Sequence, residues 1–328
     1  MLRGAKLRGF QFAPESTAGT LIPANKLMKN GTFKNKRTPN KKRVEAEGHR
    51  HAIGQQKGKR WSEWSISGQL GYSFLSYIGA GLFGPVSPTN PATGAYTYSY
   101  VEANATLNTP QTFSFEWGNS LGSNSKMAFG VMTDFDLKVS PTDASYTLNG
   151  FGAYPIKNIT MTANPTIISP VICAISDFKI NFAISYANLA TGKLLTAKAI
   201  DMGVKGKYMY ELFIDDATNS IGGVVEKVPD CSGKITVALG SESDYFLANL
   251  ESDSLIYMQL VGTGPILYNA GGVGNVYSQV IYTWAAYVEN EDEGDTEELA
   301  TGTYDFYCGE DVANNDMSLV VTNYLSGY

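Results

Sequence analysis

From Val131 to Val139 the chain alternates. Val131, Thr133, Phe135, Leu137 and Val139 fall on one face of an extended segment, and Met132, Asp134, Asp136 and Lys138 fall on the other. That two-residue period belongs to a strand with one buried face. Ser140-Pro141-Thr142-Asp143 then breaks the run. Proline has no N–H for a ladder, and Ser or Asp can close a turn through its own side chain. The chain is expected to reverse here into a second strand carrying Tyr146 and Leu148, so that residues 131–152 form a β-meander. Burying its apolar face is worth roughly 10 kcal/mol gross, before chain entropy is subtracted, which makes it a core element.

The same pattern recurs along the chain. Trp61, Trp64 and Ile66 enter a strand, and Leu75, Ile78 and Leu82 at spacings of three and four predict a short helix over Tyr72–Phe83, stopped at Gly84-Pro85. Strands are expected at Gly19–Met28, Tyr96–Tyr100, Ala103–Leu107 and Gln111–Trp117, with Lys34–Arg43 an exposed loop or arm. In the second half Ser176–Tyr186 alternates, with Phe178, Ile180, Phe182, Ile184 and Tyr186 on one face. Its opening echoes Thr133–Val139. Lys193–Val204 and Tyr208–Asp215 continue the sheet, Ser241–Leu250 reads as a helix capped by Ser and Asp, and Ser254–Val261, Val276–Val288, Thr303–Cys308 and Met317–Tyr324 are further strands. Tyr 20, Phe 15 and Gly 34 in 328 residues fit strands joined by turns. The fold class is therefore mainly β: two related β-sandwich or barrel units at residues 61–160 and 161–328, each with a short flanking helix, preceded by an extended basic arm at 1–60.

Charge is divided sharply between these segments. Residues 1–60 hold 15 lysines and arginines against three acids, a formal +12, and every arginine and both histidines lie there. The remaining 268 residues carry ten basic against 28 acidic side chains, a formal −18. A basic arm beside an acidic body can bind nucleic acid, or the acidic body of the next copy of the same protein. Cys173, Cys231 and Cys308 are odd in number and have no CxxC spacing, so free thiols in a reducing compartment are expected. There is no run of 18 apolar residues for a transmembrane helix and no long apolar stretch near the start for a secretory signal.

Candidate motifs for chemistry fail on context. Gly118-Asn-Ser120-Leu-Gly122 spells a nucleophile elbow, yet turn-like residues follow the serine and both histidines precede it. Gly79-Ala-Gly81-Leu-Phe-Gly84 spells a dinucleotide loop, but a helix precedes it and Pro85 follows, the reverse of what phosphate binding needs. Glu289–Glu298 holds seven acids in ten residues, but an EF-hand register puts Ala300 where the last Glu belongs; a solvated hairpin loop is expected. His49 and His51 lack a third ligand. No catalytic constellation, metal site or cofactor is expected, and the chain reads as a non-enzyme.

The order of segments resembles the tail tube proteins (major tail proteins) of long-tailed bacteriophages. Pro14–Thr20 with Leu21–Met28, Trp61–Gly84, Thr93–Ser99 through Phe113-Ser-Phe-Glu-Trp-Gly118, and Val131–Gly152 resemble the first half of that arrangement. Asp177–Leu195, Tyr208–Asp215, Asp244–Gly264 and Val320–Asn323 resemble the second; the high basic charge of the first 60 residues and the absence of arginine after them match no pattern of that family. The resemblance implies a structural virion protein whose rings, of six subunits or three duplicated ones, stack into a hollow conduit for viral DNA. Its implied partners are further copies of itself, tape measure and tail terminator proteins, and DNA that passes without specific binding, with no membrane. Assembly in the host cytoplasm and residence in the virion tail follow from the same likeness. Under this reading Lys34, Lys36, Arg37, Lys41, Lys42 and Arg43 contact a neighbouring subunit, and Asp134, Asp136 and Lys138 face the lumen or an interface. The alternative is a non-enzymatic β-sandwich that decorates a virion and recognises a glycan or surface.

Overall fold

The computed structural model describes residues 9–45, 47–48, 50–102, 107–118, 124–194, 196–213, 220–269, 274–296, 299–311 and 316–328. It is mainly β. The first half runs β1 (Gly9–Pro14), β2 (Lys26–Met28), β3 (Gly31–Thr38), β4 (Lys41–Val44), β5 (Gly54–Lys57), β6 (Trp61–Gln69), helix α1 (Tyr72–Phe83), β7 (Thr89–Ala92), β8 (Ala95–Val101), β9 (Phe113–Gly118), β10 (Ser125–Val139) and β11 (Ala144–Ala153). Then come β12 (Ile156–Lys157), β13 (Thr166–Ile167), β14 (Phe178–Ala183), β15 (Lys193–Leu194), β16 (Ala197–Lys205), β17 (Tyr208–Glu211), β18 (Gly223–Glu226) and β19 (Asp230–Ala238). Helix α2 (Ser241–Ser252), β20 (Ile256–Tyr268), β21 (Val276–Thr296), β22 (Leu299–Cys308) and β23 (Met317–Asn323) complete the chain.

One antiparallel sheet runs β3-β6-β11-β10-β16-β19-β22-β21. It combines strands from both halves, and the junction is the pairing of β10 with β16. The long strands β10 and β21 each leave this sheet for another layer. The first part of β10 pairs with β9, which carries β1 and β2. The first part of β21 lies between β20 and β23, which carry β14 and β8 respectively. Phe129, at φ 59°, marks the bend in β10.

The two halves share one pairing scheme. In the first, β3-β6-β11-β10-β9-β1 are neighbours in that order, and in the second β16-β19-β22-β21-β20-β14 are. A helix follows β6 in one and β19 in the other. Even the bulges correspond: the β10–β11 register shifts between Met132 and Asp134, and the β21–β22 register shifts between Val288 and Asn290. The echo between Ser176–Phe182 and Thr133–Val139 is not this repeat. β14 corresponds to β1, and the likeness reflects only shared strand alternation.

Helix α1 is buried over its whole length. It lies against β8, β10, β21 and β23, so it has no solvent face to make polar. Gly79 and Gly81 lie within the helix where a Cβ would strike the Tyr100 ring and the Met132 side chain, and the phosphate-loop spelling reports that packing. Carbonyls near its end are satisfied from outside: Tyr208 Oη donates to Leu82 O at 2.7 Å and Gln111 N to Ala80 O at 3.0 Å. Helix α2 buries only Ser243, Phe246 and Asn249. Its start is held by Ser243 Oγ, which accepts from Gly240 N at 2.8 Å.

Several expectations need correction. The bulge at Thr133 reverses the faces before it, so Met132 joins the main core and Val131 packs in a separate cluster with Phe151, Tyr208 and Ile221. The meander is otherwise as expected, with Phe135, Leu137, Tyr146 and Leu148 buried. Lys34–Arg43 is not a loop, since β3 pairs with β6 along its full length and β4 pairs with β5. Of Gly19–Met28 only Lys26–Met28 is a strand. The remainder is tied down by side chains: Glu15 accepts from Gly19 N at 2.8 Å and Ser114 Oγ donates to it at 2.8 Å, while Ala24 N donates to Glu116 at 3.3 Å. Strand β14 ends at Ala183, leaving Ile184 and Tyr186 exposed. The acidic run is strand through Thr296. Most of Ala103–Leu107, Ser120 and His49 lie outside the described residues.

Phe135 packs against Tyr282 of β21 at 6.0 Å between ring centroids and is 1% exposed. Phe135→Ala is expected to cost ~3–5 kcal/mol, read as a lower urea midpoint by tyrosine and tryptophan fluorescence.

Candidate assembly surfaces

The outer face of the long sheet is polar. Asp134, Asp136 and Lys138 sit on it as the alternation requires, and the register sets each opposite a partner the sequence could not name. Lys138, Asp201, Lys234 and Asp305 are consecutive neighbours across β10, β16, β19 and β22. Lys138 Nζ lies 2.6 Å from Asp201 and Lys234 Nζ 2.8 Å from Asp305, so charges alternate across the sheet. Both lysines are more than 60% exposed, and such pairs contribute at most about 1 kcal/mol each. Their main effect is to match the Lys138 and Lys234 cations on this face.

Asp134 closes the same face. Its Oδ1 accepts from Gly206 N at 2.8 Å and its Oδ2 from Asn149 Nδ2 at 3.2 Å. Asp136 faces the β16 backbone at Gly203, where a Cβ would collide with its carboxylate. Burial raises the Asp136 pKa, and Asp201 adds to the rise against Lys205 and Lys138.

The six predicted basic residues are split between two structures. Lys34, Lys36 and Arg37 lie on β3, an edge of the long sheet; Lys36 pairs with Glu63 at 2.8 Å, and Arg37 Nη2 donates to Ser125 Oγ at 3.1 Å. Arg37 Nε is buried with no hydrogen-bond acceptor. Lys41, Lys42 and Arg43 lie on β4, which with β5 forms a hairpin exposed along both strands. Its base is closed by Gly58 N donating to Asn40 O at 2.8 Å. Lys41 stands directly opposite Lys57, a like-charge pair that destabilises an isolated hairpin.

Sequence reasoning missed the buried carboxylates Glu15 and Glu116 and a buried ion pair around Lys207. Lys207 Nζ is fully buried between Glu102 and Glu226, 3.5 Å from the latter, and lies 5.3 Å from the centre of the Phe83 ring. Glu226 also accepts from Asn108 N and Nδ2 at 2.6 and 2.9 Å. With two carboxylates as counterions and an aromatic lid, the ammonium is a structural pin joining segments far apart in sequence. Only a basic residue between two strands signals it, and that is too common to find it. Among the described residues no three His, Cys, Asp or Glu side chains are arranged to hold a metal. The three cysteines are free, with Cys173 and Cys231 buried.

Two outcomes test this geometry. Lys207→Met leaves two buried carboxylates without a cation and is expected to cost about 3–5 kcal/mol, measured by chemical denaturation. For Asp136 the folded pKa lies above its ordinary value, so the fold binds its proton more tightly than the unfolded chain does. Its charged form therefore opposes folding above that pKa, and the penalty disappears as pH falls through it. Asp136→Asn is expected to melt at or above the wild-type temperature at pH 7, with the difference vanishing in acid.

No family of known proteins matches this sequence, and no curated protein matches it. Among solved structures, a double mutant of the Hcp1 protein from the E. coli EAEC 042 pathovar aligns with 45% of this chain and 99% of its own, at 10% identity and a TM-score of 0.22. The K. pneumonia protein MrkH aligns with 69% of this chain and 75% of its own in both its apo state, at 8% identity, and its c-di-GMP complex, at 10% identity, each with a TM-score of 0.15. None of these similarities is strong enough to bear on fold or function, which rest on the geometry above.

Proposed function

We propose that this chain is a structural subunit that polymerises into stacked rings, the hollow tail tube of a phage virion through which viral DNA passes. One observation carries the reading. The β10–β16 pairing joins two like units edge to edge, so that a sheet with one apolar and one polar face continues across the junction. A contact that joins one edge to a different edge can be repeated from copy to copy, and it closes into a ring when the rotation permits. The order of segments that resembles phage tail tube proteins agrees with this reading.

The polar face suits a lumen wall. Phosphate binding relies on Lys and Arg that displace counterions, and Lys138 and Lys234 are engaged by Asp201 and Asp305. DNA would slide past such a wall instead of sticking. The basic β4–β5 hairpin projects from the β3–β6 end and suits contact with an acidic surface of the next ring, where Lys41 and Lys57 would find counterions.

Negative-stain microscopy of the purified protein is expected to show rings or hollow tubes. A monodisperse monomer without filaments at all concentrations would overturn the reading and favour a virion decoration module. Replacing residues 41–57 by a short Gly-Ser turn is expected to leave rings intact and to abolish tubes, counted in the same micrographs.

A further inference from the structure

We infer that copies of this chain join through the free edge of β3 on one copy and the acidic half of β21 on the next, in the register of the internal β10–β16 contact. This rests on the tube reading and names the surfaces that would build the ring. Both edges are open: among the described residues β3 pairs only with β6, and β21 beyond Ala286 pairs only with β22. By the shared pairing scheme β3 corresponds to β16 and β21 to β10, so these are the two edges that β10 and β16 use inside the chain.

The register follows from the ladders. In the first half Leu148 faces Ile66 and Ile66 faces Phe33; in the second Tyr304 faces Ile235 and Ile235 faces Ile200. Phe33 thus occupies the place of Ile200, Lys36 that of Gly203 and Arg37 that of Val204. The matching bulges place Glu289 at Thr133, Glu291 at Phe135 and Asp292 at Asp136. Inside the chain Phe135 faces Val204 and Asp136 faces Gly203. Between copies the same register sets Glu291 against Arg37 and Asp292 against Lys36.

Charge supports this register without having been used to derive it. β3 reads Gly-Thr-Phe-Lys-Asn-Lys-Arg-Thr and the end of β21 reads Glu-Asn-Glu-Asp-Glu-Gly-Asp-Thr, so a basic edge meets an acidic one. Opposite charges directly across a strand pair are favourable, whereas either edge paired with itself would set like charges together. The half-buried Arg37, whose Nε has no acceptor, would gain the Glu291 carboxylate. A groove floored by Phe10, Met28, Phe33 and Trp117 runs beside the β3 edge and would be covered by the arriving copy. The two charged stretches that stand out in the sequence thus become the two halves of one interface, which directs head-to-tail closure and opposes head-to-head pairing.

The test uses the full chain. Lys36→Glu and Asp292→Lys, both exposed positions, are each expected to lower the assembled fraction on the order of tenfold by light scattering and microscopy. Combining them in one chain is expected to restore assembly, because the exchanged charges again match. Far-UV circular dichroism confirms that each variant is folded. Independently, a Lys36→Cys/Asp292→Cys chain is expected to form disulfide-linked oligomers under mild oxidation, while the wild type, with its own three cysteines, does not. Wild-type rings with neither charge rescue nor cross-linking would overturn the edge assignment and leave the tube reading standing. A wild type that never assembles would overturn both.

Discussion

The pairing of β10 with β16 is the contact on which the rest of the molecule depends. Each half of the chain alone would end in an open strand edge, a row of unpaired N–H and C=O groups that invites association. By joining one such edge to another internally, the chain makes a single sheet from two like units and leaves one basic and one acidic edge at its ends. In the assembly we propose, the contact between copies repeats the one inside the molecule. Backbone hydrogen bonds supply the continuity, and side-chain charge decides which edge may meet which.

Strands that serve two layers make this possible. β10 and β21 each pair on one stretch within the long sheet and on another within a second layer, so the core is closed without a separate connecting element. Between the layers lies α1, buried over its whole length because it meets protein on every side. Its surroundings are pinned by polar groups that could not stay buried alone. Glu15 and Glu116 accept from backbone N–H groups of the N-terminal segment and from the hydroxyls of Ser114 and Thr162 respectively, and Lys207 holds Glu102 and Glu226 together. These contacts bind segments remote in sequence, and the cost of breaking any one is high because a desolvated charge is left behind.

Local chemistry was legible wherever period and breaker agreed. Tyr72–Phe83 is a helix over the residues its spacing and Gly84-Pro85 predicted, and the Val131–Gly152 meander forms around Ser140–Asp143. Errors arose where a neighbouring strand overrode the pattern. Lys34–Arg43 looked like an exposed loop or arm because its charge is high; its lysines are exposed, yet β6 supplies β3 with a ladder partner. Glu289–Glu298 looked like a loop for the same reason and is largely strand, since β22 pairs with it. Met132 changed faces because a bulge, invisible to alternation, sits at Thr133. Of the candidate surface, Asp134, Asp136 and Lys138 were placed on one polar face from period alone, but Asp201, Lys234 and Asp305 were not, because cross-strand register is a long-range property.

The sequence by itself determined that the chain is mainly β, where helices α1 and α2 lie, that Phe135, Leu137, Tyr146 and Leu148 of the meander are core residues, and that its charge is divided between a basic beginning and an acidic remainder. These follow from short-range sterics, hydrophobic period and counting. Tertiary structure alone decided that the two halves share one sheet, that β10 meets β16, and that basic β3 and the acidic half of β21 are the end strands of the long sheet. Pairing partners are chosen by the burial of whole faces and by long-range backbone hydrogen bonds, which no local window of sequence contains.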